Sequence, residues 1–180
     1  MTKGESTVTI HMGASLDGFI EKKDASVDWF NTSDKYPDGA PDPDAEAFLK
    51  TIGCYVMGSK TYELALKLGW IYGDTPAIVL TRRHLTTVRN TVEFYNGDLE
   101  PLVRRLRQQY GNVWVAGGAQ VAAEFIRLKL ADEISISILP ILLGQGTRYF
   151  EYFQQEQSLH LKNVTAYRNG VVEMRHEILK

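Results

Sequence analysis

The sequence predicts an α/β fold in which a mostly parallel sheet lies between layers of helices. Short apolar strands alternate with helical patterns along most of the chain, and a strong hairpin signal stands near its C-terminal end. Strands that alternate with helices need crossover connections, which produce a parallel sheet covered on both faces. The hairpin adds antiparallel strands at one edge of that sheet. We therefore predict a three-layer α/β/α sandwich, formed as a single domain by residues 1–180.

Size and composition narrow the class of protein. The 180 residues are 44% hydrophobic and 23% charged, as in ordinary globular domains. A net charge of −2 gives no electrostatic reason to expect nucleic acid or an anionic membrane as a partner. Cys54 is the only cysteine, which argues against a cysteine-based zinc site, and we predict no metal. The N-terminal segment lacks a signal-peptide core, and Pro140 interrupts the longest apolar stretch, so we expect a cytoplasmic protein.

The first part of the chain combines a strand, a long loop and a helix. Every second residue from Val8 to Met12 is apolar, which predicts a strand, and Asp17–Gly18 predicts a turn after it. The segment from Asp24 to Pro43 predicts a long polar loop, which either covers a site or is only pinned by its aromatic residues. A helix is predicted to begin within residues 43–46 and to turn Phe48 and Leu49 inward.

The remaining elements follow from apolar periodicity. Further strands are predicted in CYVMG, AIVLT, TVEFY, VWVA and EISISILPILL, and further helices over residues 60–68, 99–110 and 119–130. Asn169–Gly170, flanked by LHLKNVTAYR and VVEMRHEIL, predicts the C-terminal hairpin.

One candidate binding site is the strand-to-helix turn in VMGSKTYE. Gly58 permits close backbone approach, and Ser59, Lys60 and Thr61 open the following helix. The free N–H groups at a helix start, together with a lysine, form a natural anion site. An ordinary capped helix is the alternative, because Ser and Thr are favoured caps without any ligand.

A second strand-to-helix turn lies in VWVAGGAQVAAEF. Gly117 and Gly118 let a ligand pack directly on the backbone, and the helix start that follows can face a pyrophosphate. The pattern is neither G-x-G-x-x-G nor a Walker loop. Glycines used only for tight packing are the alternative.

A pair of arginines lies between these two turns in the sequence. Arg82 and Arg83 end the strand in VLTRRH, and adjacent guanidinium groups suit the 2′-phosphate of NADPH. Two solvated surface arginines are the alternative. Together, the three segments predict a dinucleotide site with a preference for NADPH over NADH.

The segments ASLDGFI, VMGSKTYE, VLTRR, VWVAGGAQ and LADEISISILPILLGQGTRYF resemble, in this order, the dihydrofolate-reductase-like superfamily. The sequence is most similar to the reductase domain of the bacterial bifunctional riboflavin-biosynthesis deaminase–reductase and its stand-alone relatives. The resemblance runs from about Thr7 to Leu179. It implies a three-layer fold, NADPH bound across the carboxyl ends of the strands, and often a homodimer.

The resemblance also implies which residues meet the cofactor. Ala14 would lie near the nicotinamide carboxamide. The other implied cofactor residues are Gly58, Ser59, Lys60 and Thr61 at the phosphates, Thr81, Arg82 and Arg83 at the adenosine end, and Gly117, Gly118, Ala119 and Gln120 at the pyrophosphate and nicotinamide side. One departure is Ser59, which replaces the arginine that dihydrofolate reductases usually carry after Met-Gly.

On the substrate side, the resemblance implies two catalytic carboxylates and two aromatic contacts. Asp44 precedes Phe48 by four residues, as the carboxylate of dihydrofolate reductases precedes a phenylalanine, so the acid could grip a heterocycle that stacks on the ring. Asp44 as a plain helix-start residue, and Glu46 as the acid, remain alternatives. Asp17 is similar to a position near cofactor or substrate, and Trp29 resembles the tryptophan before that helix.

These features predict an NADPH-dependent oxidoreductase that transfers hydride to a small heterocyclic substrate. A ribosylamino-pyrimidine of riboflavin synthesis, whose ribose would be reduced to ribitol, is the first candidate substrate. Dihydrofolate or another pterin is the second. A nucleotide-binding protein without turnover is an alternative of a different class. The deaminase motif, H-x-E with P-C-x-x-C, is not found in the sequence.

Overall fold

The computed structural model describes residues 6–42, 45–150 and 153–180. The strands are β1 (Val8–Ser15), β2 (Phe19–Glu21), β3 (Cys54–Gly58), β4 (Ala77–Leu80), β5 (Val92–Tyr95), β6 (Val113–Val115), β7 (Glu133–Leu139), β8 (Thr147–Arg148), β9 (Leu159–Ala166) and β10 (Val172–Ile178). The α-helices are α1 (Ala45–Leu49), α2 (Ser59–Lys67), α3 (Leu99–Tyr110) and α4 (Ala119–Arg127).

Eight strands of the described residues form one sheet in the order β5-β4-β3-β6-β1-β7-β10-β9. The six strands from β5 to β7 are parallel, whereas β10 pairs antiparallel with both β7 and β9. The mostly parallel sheet with an antiparallel C-terminal hairpin is therefore confirmed. Because parallel strands end at the same edge, β1, β3, β4, β6 and β7 all deliver their following loops to one rim of the sheet.

Apolar side chains cover both faces of this sheet. On one face, β1, β3 and β6 pack against α3 and α4, whose buried side chains include Leu102, Leu106 and Phe125. On the other face, α2 covers β3 and β4 through Tyr62 and a second apolar cluster. Each fully buried large side chain stabilises the fold by about 1.5–3 kcal/mol. The predicted three-layer α/β/α sandwich is confirmed.

Two predicted elements exceed the observed ones by three or more residues. Helix α4 ends at Arg127 and not at residue 130, because Leu128 closes the helix and Lys129 adopts a positive φ of 55°. Strand β7 ends at Leu139 and not at residue 143, since Pro140 has no N–H to donate to a neighbouring strand. The chain beyond Pro140 is thereby released from the sheet.

The turn at Asp17–Gly18 leads into a small sheet that the sequence did not reveal. The Gly18 N–H donates to the Ser15 carbonyl at 2.9 Å, and Gly18 has a φ of 87°, which favours glycine. Strand β2 then pairs antiparallel with β8. These two strands are only three and two residues long, which is too short for a periodic signal.

The long polar loop is confirmed over its described part, to residue 42. It contains one 3-10 turn, Asp28–Phe30, and is tied to the C-terminal hairpin. The Tyr36 N–H donates to the Arg168 carbonyl and the Ala40 N–H to the Ala166 carbonyl, both at 2.8 Å. Pro43 and Asp44 lie outside the described residues. Among the helices of the described residues, none combines the length and apolarity needed to cross a bilayer.

Candidate functional site

The two glycine turns predicted to bind phosphate lie side by side at the carboxyl rim of the sheet. The Gly58 N–H donates to the Gly117 carbonyl at 2.9 Å. The hydroxyl of Thr61, in the first turn of α2, lies 3.8 Å from the point where a Cβ on Gly118 would stand. The starts of α2 and α4 therefore face one region of space. The peptide bond between Gly117 and Gly118 is cis.

Both helices at this rim begin after a glycine cap. Gly58 precedes α2 and Gly118 precedes α4, each with extended backbone. A glycine cap has no side chain that could accept from the first-turn N–H groups, so these donors stay available to a ligand. Ser59 stands inside the helix as its first residue, and the alternative of a helix capped by its own Ser59 is not observed. Lys60, in the same turn, is exposed.

The arginine segment continues from β4 beside the start of α2. Gly58 pairs with Leu80, which precedes Thr81, and the Thr81 hydroxyl accepts from the Arg83 N–H at 3.0 Å. Arg83 Nη2 lies 2.7 Å from Glu63 Oε1 on α2, and this bond lowers the pKa of Glu63. Arg82 is exposed. The structure thus brings the residues predicted for the adenosine end to the rim, but it adds a carboxylate that the sequence did not identify.

Ala14 and Asp17 lie at the end of β1. Ala14 is fully buried beside Ile138. Asp17 accepts hydrogen bonds from the Ser15 hydroxyl at 2.6 Å, from the Leu143 N–H at 3.1 Å and from the Gly144 N–H at 2.7 Å. The bond from Ser15, with smaller contributions from the two backbone donors, lowers the pKa of Asp17 to about 2.

These contacts favour a positioning role for Asp17. A carboxyl group that stays ionised down to about pH 2 cannot donate a proton near neutral pH. It instead fastens the loop after β7 to the end of β1. A direct catalytic role for Asp17 remains a prediction.

Phe48 meets a histidine and a tryptophan on the side of β1 that faces away from α3 and α4. The Phe48 ring centroid lies 4.7 Å from that of Trp114 and 6.4 Å from that of His11. The His11 ring packs edge-on against Trp114 at 4.5 Å, and its Nε2 lies 3.1 Å from the Ser137 hydroxyl. Burial lowers the pKa of His11 to about 4, so the imidazole is neutral at neutral pH.

The other predicted substrate contact, Trp29, packs beside the site rather than on the strand. Trp29 is 6% exposed and stacks on Phe30, with ring centroids 4.5 Å apart. The ring that lies on β1 is that of Phe30, since a Cβ added to Gly13 would collide with it. A direct substrate contact of Trp29 remains a prediction.

The predicted acid, Asp44, lies outside the described residues. Its role and that of its alternative, Glu46, remain predictions. Helix α1 does place Phe48, four residues later, against His11 and Trp114. The helix therefore runs beside this part of β1.

Three residues of the site were not identified from the sequence as functional: His11, Trp114 and Ser137. Phe30 was predicted only as one of the aromatic residues of the long loop. A signal for two of the three was present in the strand patterns. Strands in the middle of a parallel sheet are usually apolar on both faces. His11 in β1 and Ser137 in β7 are polar exceptions to this pattern. They indicate a face of the sheet that does not pack only against an apolar core.

Known proteins resemble the chain over nearly all its length. The family model of the RibD C-terminal domain matches residues 6–173. YwjB of Bacillus subtilis (strain 168) is 31% identical over 170 residues, which are 93% of this chain and 95% of that protein. A putative riboflavin biosynthesis protein from Shewanella sp. PV-4 superposes with a TM-score of 0.82 at 22% identity, covering 97% of this chain and 99% of that one.

Two further solved structures share the fold at lower identity. The deaminase/5-amino-6-(5-phosphoribosylamino)uracil reductase of Thermotoga maritima matches with a TM-score of 0.70 at 17% identity, over 99% of this chain and 58% of that one. Dihydrofolate reductase from Enterococcus faecalis, complexed with NADP(H), matches with a TM-score of 0.62 at 15% identity over 97% of both chains. The family match over residues 6–173 is decisive: the chain belongs to the RibD C-terminal domain family.

Proposed function

We propose that the protein is an NADPH-dependent reductase whose substrate resembles 5-amino-6-(5-phosphoribosylamino)uracil. The observation that carries this proposal is the meeting of the two glycine-started helices, α2 and α4, at the Gly58–Gly117 hydrogen bond. Membership of the RibD C-terminal domain family supports it, as do the fold similarities to a riboflavin biosynthesis protein and to a 5-amino-6-(5-phosphoribosylamino)uracil reductase. The proposal includes a cytoplasmic location, where NADPH is available.

The residues at the rim fit a dinucleotide. Paired helix starts with unfilled N–H donors suit a pyrophosphate, and Lys60 adds a positive charge beside them. Gly117 leaves the backbone bare for close approach, since its φ of 93° disfavours a side chain. Arg82 and Arg83 would face the 2′-phosphate of the adenosine end. Glu63 competes for Arg83, so Arg82 is expected to contribute the free charge there.

NADPH, when bound, supplies a hydride, that is, two electrons and one proton, to the substrate carbon. The reduced substrate then needs one further proton on the neighbouring nitrogen or oxygen, from solvent or from an acid of the chain. The chain aligns the substrate against the cofactor and keeps bulk water away. The end of β1, which Asp17 fastens to Leu143 and Gly144, would form one wall of that space.

The test is turnover with separate substrates. The purified protein is mixed with NADPH and 5-amino-6-(5-phosphoribosylamino)uracil, and NADPH absorbance and the ribityl product are followed. We expect oxidation of NADPH matched by product formation. Loss of both in Gly118→Val, which fills the cradle at the start of α4, would link the activity to the site. Failure of the wild type to bind NADPH would overturn the proposal.

Dihydrofolate is the second candidate substrate. The observation that favours it is the Phe48 ring, which is 38% exposed on a helix beside the sheet and can stack on a pterin. Oxidation of NADPH with dihydrofolate alone would make the uracil assignment wrong and retain the reductase. Binding of NADPH without turnover of either substrate would favour a nucleotide-binding protein.

The NADPH preference has its own test in the Arg83–Glu63 pair. Arg82→Ala is expected to weaken NADPH binding more than Arg83→Ala, because Glu63 already neutralises Arg83. NADH binding, without a 2′-phosphate, should respond to neither change. Equal affinity of the wild type for both cofactors would contradict the NADPH assignment.

A further inference from the structure

A polar strip crosses the middle of the sheet on the face opposite to α3 and α4. On β1, His11 and Gly13 alternate with Ile10 and Met12, whose side chains belong to the apolar core. On the neighbouring strand β7, Ser137 pairs with Gly13 in register and its hydroxyl bonds His11. Both strands lie inside the sheet, where polar faces are unusual. Solvation at an edge of the sheet therefore does not explain these polar residues.

Aromatic side chains flank this strip from two different segments. Phe48 of α1 and Trp114 of β6 pack around His11. Phe30, from the 3-10 turn of the long loop, lies on Gly13, two residues further along β1 on the same face. Phe30 is 40% exposed and Phe48 is 38% exposed, so neither side chain is fully buried in the apolar core. Exposed aromatic rings beside a hydrogen-bonding pair are typical of sites for planar ligands.

We propose that His11 and Ser137 form the hydrogen-bonding floor of a subsite for an uncharged planar nitrogen heterocycle, which stacks on Phe48. This inference rests on the proposed function, whose two candidate substrates both carry such a ring. In an imidazole–hydroxyl pair, one group donates to the other, so the pair keeps a donor or an acceptor for a third group. It can therefore match the N–H and C=O groups of a uracil or pterin edge.

The surroundings of the pair favour a neutral ring over a phosphate. The imidazole is uncharged at neutral pH because burial lowers its pKa to about 4. Glu173 stands opposite Ser137 on β10, which places an acidic neighbour beside the strip. Arg175, opposite Ser135, is engaged by Glu133, with 2.6 Å between Arg175 Nε and Glu133 Oε2. A phosphate is better served at the rim, near Lys60 and Arg82.

The test uses lumazine, a fluorescent pteridinedione with the same N–H and C=O edge as uracil, titrated into the full-length protein. Ser137→Ala and His11→Leu each remove one half of the pair, and each is expected to weaken lumazine binding about tenfold. The double variant should bind no more weakly than either single variant, since the two groups act together. His11→Gln, whose amide can bond Ser137, should restore most of the affinity.

Ser135→Ala is the matched control. Ser135 lies on the same strand and face as Ser137 but bonds Glu173, so its loss should leave lumazine affinity unchanged. NADPH affinity and the unfolding temperature are measured for every variant. Equal weakening by Ser135→Ala and Ser137→Ala, or no lumazine binding by the wild type, would overturn the subsite. Lumazine binding with the expected pattern, together with no NADPH oxidation in the presence of either candidate substrate, would instead refute the reductase. The subsite would then still stand.

Discussion

At the scale of single residues, the neutral histidine of the site ties stability to pH. Burial lowers the pKa of His11 from 6.5 to about 4, so between these values the unfolded chain binds a proton that the folded chain does not. The free energy of unfolding should therefore fall as the pH drops through this range, by up to about 3 kcal/mol. His11→Leu should show a flatter dependence in urea unfolding at neutral and mildly acidic pH. An unchanged slope in this variant would show that His11 is not the group responsible.

Asp17 carries a second prediction at this scale. Its carboxylate holds the Leu143 and Gly144 N–H groups, and Asp17→Asn would turn a donor towards at least one of them. We expect several-fold faster hydrogen exchange at these two amides and a lower unfolding temperature. Asp24→Asn is the control, since Asp24 accepts hydrogen bonds from the neighbouring Ser26 in an exposed loop. Unchanged exchange at Leu143 and Gly144 would contradict the role of Asp17 as an anchor.

The residues that sequence reasoning identified are those with a local signal. Gly58 and Gly117 were predicted from strand-to-helix turns, and the structure brings them into contact. His11 and Ser137 are 126 positions apart, and Arg83 and Glu63 are joined only because β4 follows α2 in space. Such pairs depend on strand order and register, which no short motif encodes. The site was therefore predictable at its backbone turns and not at its side-chain pairs.

At the scale of elements, the two glycines of the β6–α4 turn are expected to affect different quantities. Gly117 should affect the stability of the fold, and Gly118 should affect NADPH binding. Gly117 has a φ of 93°, and Gly117→Ala should destabilise the fold by about 1–2 kcal/mol. Gly118 has a φ of −68°, and a Cβ there would meet the Thr61 hydroxyl at an ordinary 3.8 Å. Gly118→Ala should therefore fold normally and yet weaken NADPH binding, because its methyl group stands in the cradle. Thermal unfolding and NADPH titration of both variants check this, and equal effects on both quantities would contradict it.

Element lengths show where periodicity stops being informative. Helix α3 matches its predicted bounds, because Leu102, Val103 and Leu106 repeat at helical spacing and Gly111, with a φ of 75°, ends it. For α4 and β7, apolar residues continue past the true ends, since Leu130 and Ile141 are partly buried outside any helix or strand. In the sequence, buried apolar residues that follow an element cannot be told apart from a continuation of that element.

At the scale of the whole molecule, the sequence predicted the class of sheet but not its order. Alternating strands and helices imply parallel pairing, yet β1 lies between β6 and β7, and β3 lies between β4 and β6. That order sets which turns meet: β3 and β6 are neighbours, and so α2 and α4 begin side by side. The cradle proposed for the cofactor is therefore a product of topology as much as of the glycine motifs themselves.

The homodimer implied by the family resemblance belongs to this scale and remains a prediction. Strand β9 is one edge of the eight-stranded sheet, and on it Leu159, Leu161 and Val164 are 40%, 51% and 52% exposed. The register shift at Arg175/His176 sets Leu161 opposite His176 and Val164 opposite Met174, which brings both apolar side chains to one face. Exposed apolar residues on an edge strand promote aggregation of a monomer, whereas a dimer interface can bury them.

We expect light scattering with size-exclusion chromatography to give a mass near twice the 20.3 kDa of the chain. Leu161→Lys should shift the protein to the monomer mass with little change in its unfolding temperature at high dilution, because the side chain is half exposed in the single chain. Val88→Lys, at a 68% exposed apolar position in the loop between β4 and β5, is the control and should remain dimeric. A wild type of monomer mass at every concentration would exclude the dimer. A dimer that survives Leu161→Lys would place its interface elsewhere, because a charge buried without a partner in an apolar interface costs several kcal/mol.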